Sequence, residues 1–232
     1  MKTKKFLKFL FTFFSSILFL FLTKIKFGPI LGTKMKFSLS VFFGPTLAKI
    51  FGIGYGTATI ILTHIIGLLT GVYKIKATKD FFVFLPIIFA GFYFSKTFKG
   101  EKKLIIIPLI CIFLFILNPI GRTVWFYSGF WLIPILIPLF KDKLDKILRF
   151  PVFRIFGYSL GAAFIDHAIG SITYLYLLKI PSQFWIAAIP MTILERMMIA
   201  AGIELCYLAE KILIKTFQKS PFFMKIKKLV FE

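Results

Sequence analysis

The chain of 232 residues is strongly apolar and strongly basic: 59% of its residues are hydrophobic, 17% are charged, and the formal net charge is +21. This composition, with its 33 phenylalanines, excludes a water-soluble globular domain and predicts an integral membrane protein in contact with the lipid bilayer. The basic residues fall between the apolar runs, which is typical of loops that face anionic lipid head groups. It argues against a nucleic-acid partner, which would need basic residues on a soluble face.

Apolar runs follow one another along the chain, and many approach the roughly 20 residues that cross about 30 Å of hydrocarbon. They comprise residues 5–22, 38–51, 55–73, 80–96, 103–118, 123–140, 153–179 and 184–212. The second run is short and is interrupted by Gly44-Pro45, which predicts a broken helix beside a cavity or, equally, a re-entrant turn without a ligand. We therefore expect an all-α fold, a polytopic transmembrane helical bundle with six to eight spans. No long polar linker divides it, so residues 1–232 are expected to form a single integral membrane domain.

The longest stretch outside the apolar runs, Thr23 to Phe37, is predicted to be an outer loop. A loop of this length commonly serves as a lid or binding element, although its alternating lysines and apolar residues also suit a segment that lies on the lipid. With eight spans and an inside amino terminus, basic residues favour the inner side, most clearly in the carboxyl-terminal half. A re-entrant second run would instead place the amino terminus outside. The expected localisation is the cell membrane, as a multi-pass protein.

The last two apolar runs each carry a charged dyad, Asp166-His167 in the first and Glu195-Arg196 in the second. If the turn between them centres on Pro181, Asp166 lies level with Arg196 and His167 lies level with Glu195. Two pairs of opposite charge are therefore predicted to meet inside the membrane. An ionisable group at bilayer depth costs about 3 kcal/mol or more, so such residues are candidates for a functional site. Either the pairs lock the last helical hairpin, or they form a polar pocket or gate in which Arg196 or His167 contacts a substrate anion.

A second candidate cluster surrounds the predicted outer turn between the fifth and sixth runs. Its members are Asn118, Arg122, Trp125, Tyr127 and Trp131. Aromatic residues at this depth commonly anchor a protein at the membrane interface, but together with one arginine and one asparagine they also suit a planar polar ligand. The predicted substrate-binding residues are Asp166, His167, Glu195, Arg196, Asn118, Arg122 and Trp125.

The run Gly157 to Gly161, GYSLG, matches the G-x-S-x-G pattern around the nucleophile of serine hydrolases. A serine nucleophile needs a base within about 3 Å, whereas His167 lies eight residues beyond Ser159 on the same helix, roughly 12 Å away. His64 is then the remaining candidate base. An intramembrane serine protease that uses Ser159 stays as an alternative function, and a non-catalytic membrane scaffold is another.

Motifs for metals and cofactors are absent from the sequence. No set of His, Cys and carboxylate residues follows a metal-ligand pattern, and there is no Walker lysine motif or dinucleotide fingerprint. Cys111 and Cys206 lie within apolar runs and are expected to be packing residues. The sequence therefore predicts no metal site, no cofactor and no enzymatic activity, ATP hydrolysis included.

The segment from Lys36 to Gly71, KFSLSVFFGPTLAKIFGIGYGTATIILTHIIGLLTG, combines a short proline-interrupted helix, a glycine-rich turn and a helix with regularly spaced small residues. In these features it resembles the second and third helices of the substrate-binding S components of energy-coupling factor (ECF) transporters. The resemblance implies a small basic membrane protein that captures a vitamin-like micronutrient on the outer side for uptake. It also implies a transmembrane coupling subunit and an ATPase pair as partners. No substrate residue is implied, because substrate contacts differ among S components.

Overall fold

A computed structural model describes residues 2–29, 36–72, 74, 82 and 84–219, and most of these residues are helical. The described part of the chain forms ten α-helices, α1 to α10: Lys2–Lys24, Ser40–Ile50, Ile53–Leu69, Leu85–Thr97, Ile106–Leu117, Pro119–Thr123, Ile133–Leu139, Lys141–Ile147, Pro151–Leu178 and Ser182–Lys219. Two 3-10 helices precede α5 and α7, over Lys102–Ile105 and Trp125–Leu132. The prediction of an all-α class is confirmed at this level.

A small antiparallel hairpin follows α1, made of β1 (Lys26–Pro29) and β2 (Lys36–Ser38). In the register of the two strands, the first residue of β1 lies opposite the last residue of β2. The predicted loop from Thr23 to Phe37 thus begins with the last two residues of α1 and continues into the β-hairpin, and residues 30–35 lie outside the described part of the chain.

Proline affects two of the predicted spans differently. The predicted interruption at Gly44-Pro45 is wrong, because α2 runs through Pro45 as one helix. Gly44 lets α2 pack closely on its neighbours, because a Cβ at this position would overlap the Ile87 side chain. The predicted span 123–140 is not one α-helix, since it divides into a 3-10 helix and α7. Pro134 stands at the start of α7, a position where its missing N–H costs no helical bond.

Among the described residues, two helices are long and apolar enough to cross a membrane, α9 over Pro151–Leu178 and α10 over Ser182–Thr216. Two long apolar helices support membrane association. A left-handed residue, Lys179 with φ of 48°, ends α9, and the chain then turns directly into α10. The two helices pack against each other, which brings their charged dyads to the same depth.

The main core lies where α2, α4, α9 and α10 meet. Close contact between α4 and α9 depends on Gly161, because a Cβ there would come within 2.6 Å of the Tyr93 ring. The Tyr93 hydroxyl donates a hydrogen bond to the Pro134 carbonyl over 2.9 Å, so the same tyrosine also ties α4 to α7. These contacts fix the depth of α9 one turn before Asp166.

Candidate functional site

A cavity of about 200 Å³ lies between α1, the β-hairpin, α9 and α10, with further lining from α2, α3 and α4. It exceeds the roughly 150 Å³ of a cavity that can hold a benzene molecule. Most of its charged and hydrogen-bonding side chains come from the facing surfaces of α9 and α10. Four of the predicted substrate-binding residues line it: Asp166, His167, Glu195 and Arg196.

An ion pair between Asp166 and Arg196 crosses from α9 to α10 at the wall of this cavity. The Nη1 atom of Arg196 donates to Oδ2 of Asp166 over 3.0 Å and lies 3.5 Å from the Ala163 carbonyl oxygen. The arginine side chain is only 1% exposed. The predicted contact between Asp166 and Arg196 is therefore confirmed.

Glu195 also contacts the same guanidinium, because its Oε2 atom lies 3.6 Å from Nη2 of Arg196. The predicted pairing of His167 with Glu195 is therefore wrong. Both ring nitrogens of His167 have other partners, Tyr127 and Trp131. One arginine thus faces two carboxylates, and the histidine belongs to a separate hydrogen-bond chain.

The hydrogen-bond chain has a direction that Trp131 determines. An indole N–H can only donate, and that of Trp131 lies 3.1 Å from Nδ1 of His167, so Nδ1 is the acceptor. The neutral imidazole then carries its proton on Nε2 and donates it to the Tyr127 hydroxyl oxygen over 2.9 Å. The Tyr127 hydroxyl in turn donates to Oγ1 of Thr192, 3.0 Å away. Thr192 lines the cavity, so the chain ends at the cavity wall.

The β-hairpin covers the guanidinium of Arg196. Phe37 of β2 lies over it, with 5.0 Å between Cζ and the ring centroid, a cation–π arrangement. Phe27 of β1 stacks on Phe37 with 5.8 Å between ring centroids. Thr23, Lys26, Lys36 and Phe37 all line the cavity. The described part of the predicted lid segment thus lies at the cavity.

The remaining predicted site residues lie elsewhere. Asn118 accepts a hydrogen bond from the Ile120 backbone N–H over 2.9 Å and caps α6. Arg122 donates to the Ile116 carbonyl over 3.4 Å, and Trp125 is 62% exposed. None of the three lines the cavity. These three residues lie between the end of α5 and the start of the 3-10 helix that precedes α7.

Thr192 and Trp185 line the cavity but were not among the predicted site residues. Thr192 precedes Glu195 and Arg196 by three and four residues, the spacing that places side chains on one face of a helix. That spacing was the available signal in the sequence. Trp185 is buried and donates its indole N–H to the Ile180 carbonyl over 3.0 Å, so it closes the turn between α9 and α10.

The geometry around Ser159 does not resemble that of a serine hydrolase. Ser159 is fully buried, and among the described residues its Oγ atom has no hydrogen-bond partner, so no base is in contact with it. Nδ1 of His64 lies 2.9 Å from the Ile60 carbonyl of its own helix, and the ring packs against Phe84. In the described ranges, no three His, Cys, Asp or Glu side chains come together as metal ligands.

A separate polar contact fixes α8 to the start of α9. Lys141 donates to Oδ2 of Asp145 over 2.7 Å, and the Tyr158 hydroxyl donates to Oδ1 of the same carboxylate. Burial raises the pKa of Asp145, but these hydrogen bonds and nearby positive charges outweigh burial and lower the pKa overall. This contact stabilises the turn that leads into α9 and does not belong to the cavity.

Comparison with known proteins identifies one relative in an archaeon. The chain is 29% identical over 212 residues to an uncharacterized protein of Methanocaldococcus jannaschii, and the alignment covers 84% of the chain and 67% of that protein. No family model and no solved structure matches the chain. These comparisons give no function for the chain.

Proposed function

We propose that the protein is a polytopic membrane transport protein, the substrate-capturing subunit for a small micronutrient, energised by separate ATPase subunits. The observation that carries this proposal is the cavity between α9 and α10, with the Asp166–Arg196 pair in its wall and the β-hairpin over it. The two helices that build it are also the two described helices with the length and apolarity of membrane spans.

A binding site accounts for this arrangement better than a structural clamp does. A buried ion pair gains little net stability, because the cost of desolvating two charges offsets their attraction. A clamp would need only Asp166 and Arg196, yet Glu195 supplies a second carboxylate to the same arginine. Small-molecule sites are typically concave, largely apolar and furnished with a few convergent polar groups. The cavity combines these polar groups with aromatic side chains such as Trp185 and Tyr174.

We place the protein in the cell membrane with six to eight spans. Apolar side chains are exposed along the helices that would face lipid, for example Phe113 on α5 at 65% and Leu205 on α10 at 67%. Large exposed apolar surfaces of this kind commonly contact a membrane or a partner. Shorter apolar helices are the candidates for further spans: Thr12–Lys24 and Ile53–Leu69 pack against each other, and Trp125–Leu139 packs against α9.

We also propose that a transmembrane coupling subunit and an ATPase pair act with this chain. The support comes from the resemblance of Lys36 to Gly71 to S components and from the absence of a nucleotide-binding motif in the sequence. A subunit that only captures its substrate needs no nucleotide site of its own.

A ligand-dependent thermal shift of the purified full-length protein tests the proposal. A panel of vitamins and metal ions is screened in detergent, and native membranes are probed for ATPases that co-purify with the chain. The proposal predicts that a panel compound raises the melting temperature and that an ATPase pair co-purifies. If no compound shifts the melting temperature and no ATPase is found, the transport function is wrong. If a compound binds but no ATPase co-purifies, the energy-coupling part is wrong.

A further inference from the structure

We infer that the cavity takes a small planar organic cation, whose N–H groups are held by Asp166 and Glu195. The inference rests on the proposed function and adds the chemical class of the solute. It depends on the charges, the free hydrogen-bonding atoms and the aromatic walls of the cavity.

The cluster around Arg196 has one negative charge in excess, because two carboxylates face one guanidinium, while the lysines of the cavity wall, Lys26 and Lys36, lie on the hairpin. Within the described part of the chain, Arg196 is the cation within ion-pair distance of Asp166 and of Glu195. Asp166 accepts through Oδ2, and the contact of Glu195 with the guanidinium is made through Oε2. The other oxygen of each carboxylate receives no hydrogen bond from the described residues, so both can accept from a ligand.

Other groups around the cavity do not supply the missing positive charge. His167 accepts through Nδ1 from Trp131, which holds its ring in the neutral form. Lys26 and Lys36 are exposed on the hairpin, and neither forms an ion pair with the two carboxylates. Charges in contact with water are screened over about 8 Å at physiological salt, whereas buried charges are screened much less. Asp166, which is buried, and Glu195, which is half-buried, are therefore screened less than the two lysines and favour a positively charged ligand.

The rest of the wall indicates the shape of the ligand. Trp185 and Tyr174 supply aromatic surfaces, on which a flat cationic ring is attracted by stacking and by cation–π contact. Thr192 accepts from Tyr127, so its own hydroxyl proton remains free to donate to an acceptor on the ligand. The side chain of Arg196 lines the cavity, and its Nε has no partner among the described residues.

Three probes of nearly equal shape test the sign of the charge: benzamidinium, benzamide and benzoate. Their affinities for the full-length protein in detergent are measured by calorimetry. We expect benzamidinium to bind about 10-fold or more tightly than benzamide, a difference of about 1.4 kcal/mol, and benzoate to bind more weakly than either. If benzamide binds as tightly as benzamidinium, or if benzoate binds best, the inference is overturned.

A matched pair of variants assigns the effect to the cavity. Glu195→Gln removes the excess carboxylate while Asp166 still pairs with Arg196, whereas Glu204→Gln neutralises a buried glutamate of the same helix that does not line the cavity. Glu195→Gln should weaken benzamidinium binding about 10-fold and reduce its preference over benzamide, and Glu204→Gln should change neither the affinity nor the preference. Equal losses in both variants contradict the inference.

The same measurements separate this inference from the proposed function. If a panel compound binds and is anionic, and Glu195→Gln leaves its affinity unchanged, the cation inference is wrong while the transport proposal stands. If neither the panel nor benzamidinium binds, both are wrong.

Discussion

Phe37 of the β-hairpin lies over the guanidinium of Arg196, with 5.0 Å between the ring centroid and Cζ. This contact connects the segment between α1 and α2 to a side chain in the middle of α10. The guanidinium of Arg196 therefore contacts two carboxylates, those of Asp166 and Glu195, and also the aromatic ring of Phe37. Because Phe37 covers Arg196, a substitution at Phe37 tests how much the hairpin contributes to enclosing the charged side chains of the cavity.

Replacing Phe37 by leucine should destabilise the protein by about 1–2 kcal/mol, because a desolvated cation–π contact is lost. The melting temperature in detergent measures the effect. Phe113→Leu, at an exposed site on α5, is the matched control and should change it little. An equal decrease in both variants would show that the Phe37 ring does not stabilise Arg196.

Asp166→Asn combined with Arg196→Gln should be better tolerated than either change alone. Arg196→Gln leaves Asp166 as a buried charge without its cation, and Asp166→Asn leaves Arg196 with only the 3.6 Å contact to Glu195. A buried charge that loses its partner typically costs about 3–5 kcal/mol, whereas the double change removes both members of the pair. Thermal unfolding of the three variants gives the comparison. Damage in the double variant that equals the sum of the single effects would argue against a coupled pair.

Gly56→Ala should destabilise the packing of α3 on α2, because the new Cβ would lie 2.5 Å from the Ala48 backbone nitrogen. Overpacking of this kind commonly costs about 1–3 kcal/mol. Gly54→Ala is the control, since no atom lies within 4 Å of its Cβ position. Thermal unfolding of the two variants measures the difference in their stability. Equal stability would contradict the close approach of the two helices.

The Asp145 contact should make part of the stability dependent on pH. Because the pKa of Asp145 is lowered in the folded chain, its contribution is present above its ordinary pKa of about 4 and is lost as the pH falls through the lower folded value. Asp145→Asn should therefore destabilise the protein at pH 7 and have less effect near pH 2–3. Asp142→Asn, at an exposed position of the same helix, should have little effect at either pH. A constant difference between Asp145→Asn and wild type over this range would be inconsistent with the assignment.

Trp131→Phe should allow the His167 ring to carry its proton on either nitrogen, because the indole N–H that donates to Nδ1 is removed. Nitrogen-15 NMR of labelled histidine reports which ring nitrogen is protonated, and a His64→Gln background leaves one histidine signal, since the chain has two histidines. The wild-type signal is expected to show the proton on Nε2 and the Trp131→Phe signal a mixture. A wild-type proton on Nδ1 would contradict the direction of the hydrogen-bond chain.

The helical class and the contact between Asp166 and Arg196 could be predicted from the sequence, because both follow from periodicity and from depth in a two-helix hairpin. The partners of His167 could not. Tyr127 and Trp131 lie 40 and 36 residues away, and a 3-10 helix in place of a predicted span brings them to it. Such a contact depends on tertiary packing and has no local signal.

The second helix and the hairpin show the same limit. Pro45 predicts a break by its local chemistry, yet α2 is continuous through it and packs closely against Ile87 at Gly44. The alternation of lysines and apolar residues in this segment has the two-residue period of a strand, so the hairpin had a local signal, whereas its contact with Arg196 through Phe37 is long-range. Apart from the depth-matched pair of Asp166 and Arg196, the contacts that build the cavity wall depend on tertiary packing.

The most direct test of the central claim is the binding of a solute to the cavity between α9 and α10. Calorimetric titration of the full-length protein with benzamidinium and with the panel compound that gives the largest thermal shift, repeated on Glu195→Gln, provides it. The account predicts saturable binding of one solute per chain, competition between the two ligands and about 10-fold weaker binding of benzamidinium to the variant. Absence of saturable binding by either ligand would contradict it.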